Sequence, residues 1–369
     1  MSAVVVPLLR TSPSRLALLG TGTVGTAFVQ RYEALQSRGV ELPRFAWLAN
    51  SRTARHCGQP PALELAQANR AGRAVPDLQP WAEAEGLQRG DVVVDATASD
   101  EVANWHEQWL ARGVHVVTAN KLGQGAHWTR AQAIAESKAD SGARYGDSAT
   151  VGAGLPLLSS LRALVAGGDH IHRVEGVLSG SLAWLFHHYD GQRPFSSWVR
   201  EALDAGYTEP DPRVDLSGED VRRKLLILAR ASGVALRSEQ VQVTSLVPSA
   251  LAALPLAKAL QQLPQQDAPI QQQWALAREQ GACLRFIGGF DAEGAQVGLR
   301  IVPVDHPLAG GAQTDNRVAI HSDRYTAQPL LIQGPGAGAE VTAAALLDDV
   351  LAIAREAYLD DVHAIARPA

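Results

Sequence analysis

In the first third of the chain, apolar residues fall into short unbroken runs separated by longer stretches with helical spacing. "RLALLG" at 15–20 leads into the glycine turn "TGTVG", the helical pattern "TAFVQRYEALQSRG" and a second run, "RFAWLAN". Two more runs, "DVVVDAT" at 91–97 and "VHVVTAN" at 114–120, flank the helical pattern "EVANWHEQWLARG". Continuous apolar strands alternating with helices predict a parallel sheet buried on both faces, hence an α/β class. "HCGQPPALELAQANRAG" reads as a loop leading into a surface helix.

From about residue 148 the rhythm changes. "TVGAGLPLLSSLRALVAGG" predicts a glycine turn opening a helix, and "HRVEGVLSGSLAWLFHHY" a strand, a turn and a helix. "CLRFIGGFD" and "AQVGLRIVPV" read as antiparallel strands around "AEG", and a closing helix, "AEVTAAALLDDVLAIAREA", follows the turn "GPGAG". The stretch 261–273, with seven glutamines, reads as a solvated connection or helix surface. No internal repeat is evident.

One stretch breaks its own pattern: "GYTEPDPRVDLSGEDVRRKLLILARASG", residues 206–233. With a helix begun at Ser217 and about 100° per residue, Val221, Leu225, Leu228 and Ala231 share an apolar arc. Lys224 falls inside that arc and Asp220 beside it, after a run carrying Glu209, Asp211 and Asp215. A capping box at Ser217-x-x-Asp220 and an i,i+4 surface pair account for Asp220. They do not account for a lysine on the apolar face, which costs several kcal/mol unless the ammonium is paired or does proton transfer.

Composition narrows the classes. At 369 residues the chain has room for two domains, and 46% hydrophobic with 19% charged residues is ordinary for a globular protein. A net charge of -5 does not suggest a nucleic-acid surface. The N-terminal run "AVVVPLL" is too short to span a bilayer and lacks the flanks of a secretion signal, so a cytoplasmic protein is expected. Cys57 and Cys283 lie far apart and in no metal-like spacing, which reads as two free thiols.

Gly20-Thr21-Gly22-Thr23-Val24-Gly25 fits the dinucleotide turn. Its first glycine permits the tight turn, its second lets backbone approach a pyrophosphate, and its third allows close helix packing. The alternative is a plain glycine turn. An NAD-specific site usually has a carboxylate at the end of the second strand. Here Asn50-Ser51-Arg52 stands there, so NADP is the first choice, with NAD open, unless Arg52 merely faces solvent. Thr97 and Lys121 lie just past the carboxyl ends of two predicted parallel strands, where ligands bind in such sheets.

The 206–230 stretch, with "TVGAGLP", "GVLSGSL", "VTANK" and "GPGAGAEVTAA", resembles homoserine dehydrogenase over about residues 15–360. The likeness is nearest to the dehydrogenase half of the bifunctional aspartokinase–homoserine dehydrogenases. It implies NAD(P)H-dependent interconversion of L-aspartate 4-semialdehyde and L-homoserine, on the way to threonine and methionine. It also implies a Rossmann-type nucleotide-binding domain, residues 1–147 completed by 336–369, and an α+β substrate-binding and dimerisation domain over 148–335. By the resemblance Gly22, Thr97, Lys121 and Gly338 match cofactor-contacting positions, Glu209 and Asp215 match holders of the substrate's amino group, and Lys224 matches the catalytic lysine with Asp220 beside it; Lys121 can also donate to a substrate oxygen, so either Lys224 or Lys121 delivers the proton. The family also binds Na+ or K+ through main-chain oxygens, here at Ser148, Val151, Ala153 and Leu155, with Ser148 replacing a usual glutamate. A homodimer acting on a small amino-acid substrate is implied, and threonine feedback through an appended regulatory domain is not expected.

Two other readings compete. An acylating semialdehyde dehydrogenase needs a cysteine nucleophile, and neither cysteine falls near the predicted pocket. A non-catalytic NADP-binding regulator has no need for Lys224, Asp220, Glu209 and Lys121 together.

Overall fold

The computed structural model describes residues 14–72, 86–311 and 313–365; the N-terminal apolar run lies outside them. The first sheet contains β1 (Arg15–Leu19), β2 (Arg44–Ala49), β3 (Ala54–His56), β4 (Val92–Asp95), β5 (His115–Thr118) and β6 (Tyr145–Gly146), in the order β3-β2-β1-β4-β5-β6. All neighbours are parallel except β2 and β3. The chain winds outward from β1 in one direction and then from β4 in the other, so β1 and β4 flank the switch point where such sheets bind ligands.

The helices of this half are α1 (Thr23–Ser37), α2 (Pro61–Arg70), α3 (Asp100–Ala111) and α4 (Trp128–Ser141). β1 shows why its run is unbroken: Leu16 and Leu18 pack into one core while Ala17 and Leu19 pack into the core on the opposite face. Each fully buried leucine contributes about 1.5–3 kcal/mol. The short β3 was not predicted. Its three residues, none of them buried, are too few to show a period, and the sequence there reads as loop.

The second sheet has the order β12-β11-β7-β9-β10-β8, from β7 (Ile171–Val177), β8 (Val241–Val243), β9 (Ala282–Asp291), β10 (Gly294–Pro303), β11 (Asp315–Ser322) and β12 (Leu330–Pro335). The β9–β10 hairpin is antiparallel, as its turn predicts. β11 and β12 were not predicted. β12 alternates half-buried and exposed residues and ends in the glycine-proline run that reads as a turn.

On this sheet and around it lie α5 (Leu157–Ala166), α6 (Gly180–His188), α7 (Phe195–Asp204), α8 (Arg213–Leu216), α9 (Glu219–Ala231), α10 (Ser249–Ala252), α11 (Leu256–Gln262) and α12 (Asp267–Glu279). The glutamine-rich stretch falls mainly on α11, α12 and the turn between them, and most of its residues face outward. The closing helix α13 (Ala339–Ile365) returns to the first sheet, where Ala343, Leu346, Leu347, Val350 and Ile353 join the core that holds Phe28 and Tyr32 of α1. Among the described residues no helix is long and apolar enough to cross a membrane.

Candidate active site

A cleft of about 460 Å³ opens at the switch point. Its floor is the glycine turn at 20–22, one wall is Asn50, Ser51, Arg52 and Asn69, and the other is 96–99 with Glu101 and Val102. Each motif glycine has its own reason. At Gly20, φ is +96° and a Cβ would lie 2.8 Å from the Ala96 oxygen; at Gly25 a Cβ would lie 1.9 Å from the Gly20 oxygen. At Gly22 a Cβ would meet nothing within 4 Å, so the backbone there borders open space.

Gly22 is the N-cap of α1, with no side-chain cap and no acidic residue in the first turn. The first-turn N–H groups therefore have no side-chain cap and no carboxylate competitor within the turn, the arrangement that receives a pyrophosphate. Thr23 and Val24 lie within that turn and do not line the cleft. The wall beside the glycine turn is built from amides. Asn50 Nδ2 donates to Thr21 Oγ1 at 2.8 Å, Thr21 Oγ1 donates to Asn69 Oδ1 at 2.6 Å, and Asn50 Oδ1 accepts from the backbone N–H of Arg52 at 2.8 Å. No carboxylate stands among these wall residues, and the Arg52 guanidinium makes no ion pair with a described residue.

The lysine that the sequence singled out is buried. Lys224 is 7% exposed on α9, donates to the Leu178 carbonyl at 2.7 Å and pairs with Asp220 Oδ2 at 2.8 Å. Two of its three N–H donors are thus held, leaving one for another acceptor. Lys121 Nζ reaches the other oxygen of the same carboxylate, Asp220 Oδ1, at 3.6 Å. Burial works to raise the Asp220 pKa, but the ammonium groups of Lys224 and Lys121 outweigh it and bring it down to about 2. Asp220 keeps 39% of its side chain exposed, so solvent screens part of that attraction.

The loop after β5 reaches α9 through close backbone contact. A Cβ on Gly125 would lie 2.7 Å from the Lys121 oxygen and 2.8 Å from the Arg223 oxygen, and Arg230 of α9 donates to the carbonyls of Gln124 and Ala126. In two respects α9 differs from the sequence reading. It begins at Glu219 behind Gly218 in a left-handed conformation, and Ser217 makes no capping box: its hydroxyl donates to Val214 O and accepts from Glu219 N–H. Its buried surface is also wider than the predicted arc, taking in Leu226 and Ile227, because the helix packs between α5, β8 and β9.

In the acidic run, Asp215 accepts from Ser181 Oγ at 2.7 Å and from the Glu209 backbone N–H at 2.9 Å, which ties the loop to the start of α6. The Glu209 side chain is exposed and makes no hydrogen bond or ion pair with a described residue. Asp211 is taken by Arg213, whose guanidinium also caps the carbonyls of Leu251, Ala252 and Leu254.

A buried polar cluster behind Thr97 escaped the sequence reading. Asp95, fully buried, accepts from Thr97 N–H at 2.8 Å, Thr97 Oγ1 at 2.7 Å and Asn120 Nδ2 at 3.0 Å, and lies 3.0 Å from His106 Nε2. His106 Nδ1 in turn meets the Tyr145 hydroxyl at 3.0 Å. The partners are 11 to 39 residues from His106 along the chain, beyond any local motif.

Gly338 stands at the entrance to α13, with φ +127°, and does not line the cleft. Ser148, Val151, Ala153 and Leu155 lie on the turn between β6 and α5, where Ala153 is the one non-glycine residue with positive φ (+49°) among those described. Ser148 donates from N–H and Oγ to Asp349 of α13 at 3.0 and 2.8 Å. Neither cysteine lines the cleft, and burial, reinforced by Glu64, pushes the Cys57 thiol up to about 12, which removes the thiolate an acylating enzyme needs.

A glycine turn at the switch point of a doubly wound sheet, together with a buried ammonium on a second unit whose carboxylate partner also meets Lys121 of the first, defines a Rossmann-type oxidoreductase that uses a nicotinamide cofactor. Two family models match the chain. The model for the homoserine dehydrogenase NAD binding domain matches residues 20–145, and the model for homoserine dehydrogenase matches residues 156–351. A homoserine dehydrogenase from Emericella nidulans is 34% identical over 363 residues, covering 93% of this chain and 98% of that protein. The chain belongs to the homoserine dehydrogenase family.

A chloroplastic bifunctional aspartokinase/homoserine dehydrogenase from Zea mays is 44% identical over 266 residues, and the match spans 71% of this chain but 29% of that protein. The crystal structure of a putative homoserine dehydrogenase from Archaeoglobus fulgidus superposes with a TM-score of 0.74 at 26% identity, covering 92% of this chain and 99% of that one.

Proposed function

We propose that the chain interconverts L-aspartate 4-semialdehyde and L-homoserine, with NADP as the preferred cofactor and NAD as a weaker alternative. The observation that carries this reading is Lys224: an ammonium held by Asp220 and a backbone carbonyl, with one donor left over, and with Lys121 on the other oxygen of the same carboxylate.

When bound in the cleft, the cofactor supplies or accepts the hydride at the substrate's terminal carbon. In the reducing direction negative charge develops on the aldehyde oxygen. Lys224 is placed to stabilise that oxygen and to pass it a proton, with Asp220 holding the ammonium in place and Lys121 adding positive charge. In the oxidising direction the hydroxyl proton leaves by the same route. Glu209 and Asp215 hold the substrate's ammonium group, and Asp215 needs its Ser181 bond to be fixed for this. Gly20, Thr21, Gly22, Thr23, Val24 and Gly25 seat the pyrophosphate, Arg52 takes the 2′-phosphate, and Thr97, Lys121 and Gly338 border the nicotinamide end.

In the same reading residues 1–147 with 336–369 form the nucleotide domain, and 148–335 hold substrate and form a homodimer. A monovalent cation sits on the main-chain oxygens of Ser148, Val151, Ala153 and Leu155, a turn already bent by the positive φ of Ala153.

The direct test is to mix purified protein with L-homoserine and NADP, or NAD, and follow reduced nicotinamide by absorbance. Growth of signal, faster with NADP, is expected. No signal with either cofactor, in protein that is folded and binds NADP, would overturn the assignment in favour of a non-catalytic NADP-binding regulator.

A further inference from the structure

Asp95 ends β4, in register with Leu19 at the end of β1 and Thr118 at the end of β5. It therefore sits where the glycine turn, the Thr97 segment and the Lys121 loop leave the sheet. Its surroundings are unusual for a carboxylate that is 0% exposed: no lysine or arginine among the described residues is paired with it. It meets four donors instead, two on each oxygen: Thr97 N–H and Oγ1 on Oδ1, and Asn120 Nδ2 and His106 Nε2 on Oδ2. That fills the acceptor capacity of an ionised carboxylate.

Each donor leads to part of the site. Thr97 lines the cofactor cleft and, through Oγ1, also accepts from Ser99 N–H at 3.2 Å. The Asn120 amide gives its NH2 to Asp95 and to the Ser99 carbonyl at 2.8 Å, which turns its oxygen toward Leu122 N–H at 3.1 Å. The backbone on both sides of Lys121 is thereby fixed, since Asn120 N–H is itself held by Thr118 Oγ1 at 2.9 Å. His106 and Tyr145 touch the same loop from behind: a Cβ on Gly123 would lie 2.3 Å from the Tyr145 hydroxyl and 2.9 Å from His106 Nδ1. Burial raises the Tyr145 pKa well above its usual value, and its hydroxyl meets His106 Nδ1 at 3.0 Å while Nε2 of the same ring lies against Asp95.

We propose that Asp95, oriented by His106 and Tyr145, is a positioning residue that aligns the two halves of the active site. It sets Thr97 against the cofactor and, through Asn120, sets the Lys121 backbone opposite Asp220. The inference rests on the dehydrogenase reading and adds to it a residue that touches neither substrate nor cofactor.

Asp95→Asn puts an NH2 where only donors converge. The Asn120 amide then has to turn, which breaks its bond to Leu122 N–H. Misplacement on the scale of an ångström costs about 10- to 100-fold in rate, so kcat with homoserine is expected to fall by about that much. The dissociation constant for NADP, measured by calorimetry, is expected to rise several-fold at unchanged stoichiometry. A merely structural defect would lower the stoichiometry of binding and leave the dissociation constant alone. Trp109→Phe, in the core that packs beside His106, serves as the structural control and is expected to change neither constant.

Should Asp95→Asn fail to fold, His106→Gln and His106→Phe decide the matter: glutamine keeps a donor toward Asp95 and is expected to retain most activity, whereas phenylalanine is expected to show both defects. Folded Asp95→Asn, or folded His106→Phe, with wild-type kcat and wild-type NADP affinity would overturn the proposal. If the wild-type protein itself does not turn homoserine over, the dehydrogenase reading fails separately, and NADP affinity alone still tests the positioning role.

Discussion

Lys224 shows how much a single residue reports. A lysine at 7% exposure is tolerated because Asp220 and the Leu178 carbonyl replace its water. The sequence exposed this residue because helical periodicity placed a charge among Val221, Leu225 and Leu228. Lys121 and Arg52 were picked out from their place at strand ends; Arg52 lines the cleft, and Lys121 meets Asp220 instead. Asn50, Asn69, Asp95 and His106 were not, because their meaning lies in partners distant along the chain. Two predictions belong at this scale. Glu209→Ala is expected to raise the homoserine KM by about tenfold or more with kcat little changed, since a charge-assisted contact contributes about 1.5–3 kcal/mol; an unchanged KM removes Glu209 from the substrate site. Arg52→Ala is expected to lower kcat/KM with NADP by about tenfold while leaving NAD nearly untouched, and an unaltered cofactor ratio would show that Arg52 contacts no 2′-phosphate.

Among the elements, the βαβ half was the more legible because buried parallel strands print themselves as apolar runs. The short edge strand β3 and the half-exposed β12 carry no such print. The closing helix was legible as a helix, but its docking depends on one polar contact no pattern reveals. Asp349 of α13 accepts from Ser148 N–H and Oγ, and burial pushes its pKa up to about 6 even though those hydrogen bonds pull the other way. In the unfolded chain an aspartate titrates near 4. Between those values the folded state binds a proton that the unfolded state has lost, so the Asp349 contribution to stability falls as pH rises from about 4 to 6 and stays low above it. Asp349→Asn removes that penalty and keeps groups that can pair with Ser148. Thermal melts are expected to show the variant more stable than wild type by ~1–3 kcal/mol at pH 7, with the gain vanishing near pH 4. Parallel melting curves across this range would contradict the account.

At the scale of the molecule, the site is made by two sheets that share no strand. The first places Thr97 in the cleft and Lys121 past the end of β5, and the second carries Asp220 and Lys224 on α9; the contacts of Gly125 and Arg230 join them. The resemblance in sequence motifs pointed to this pairing, whereas periodicity alone had no means of placing one half against the other. The proposed homodimer belongs here too: sedimentation is expected to give twice the 39.2 kDa chain mass, and a monomer at assay concentration that retains full activity would remove dimerisation from the account.

The central claim is that Lys224 acts on the reacting oxygen, and the most direct measurement compares Lys224→Ala with wild type in homoserine turnover and in NADP binding. A loss of about a hundredfold or more in kcat with NADP affinity within about twofold is predicted, because the ammonium acts mainly in the transition state. Turnover within a few-fold of wild type, in folded variant protein, would contradict it.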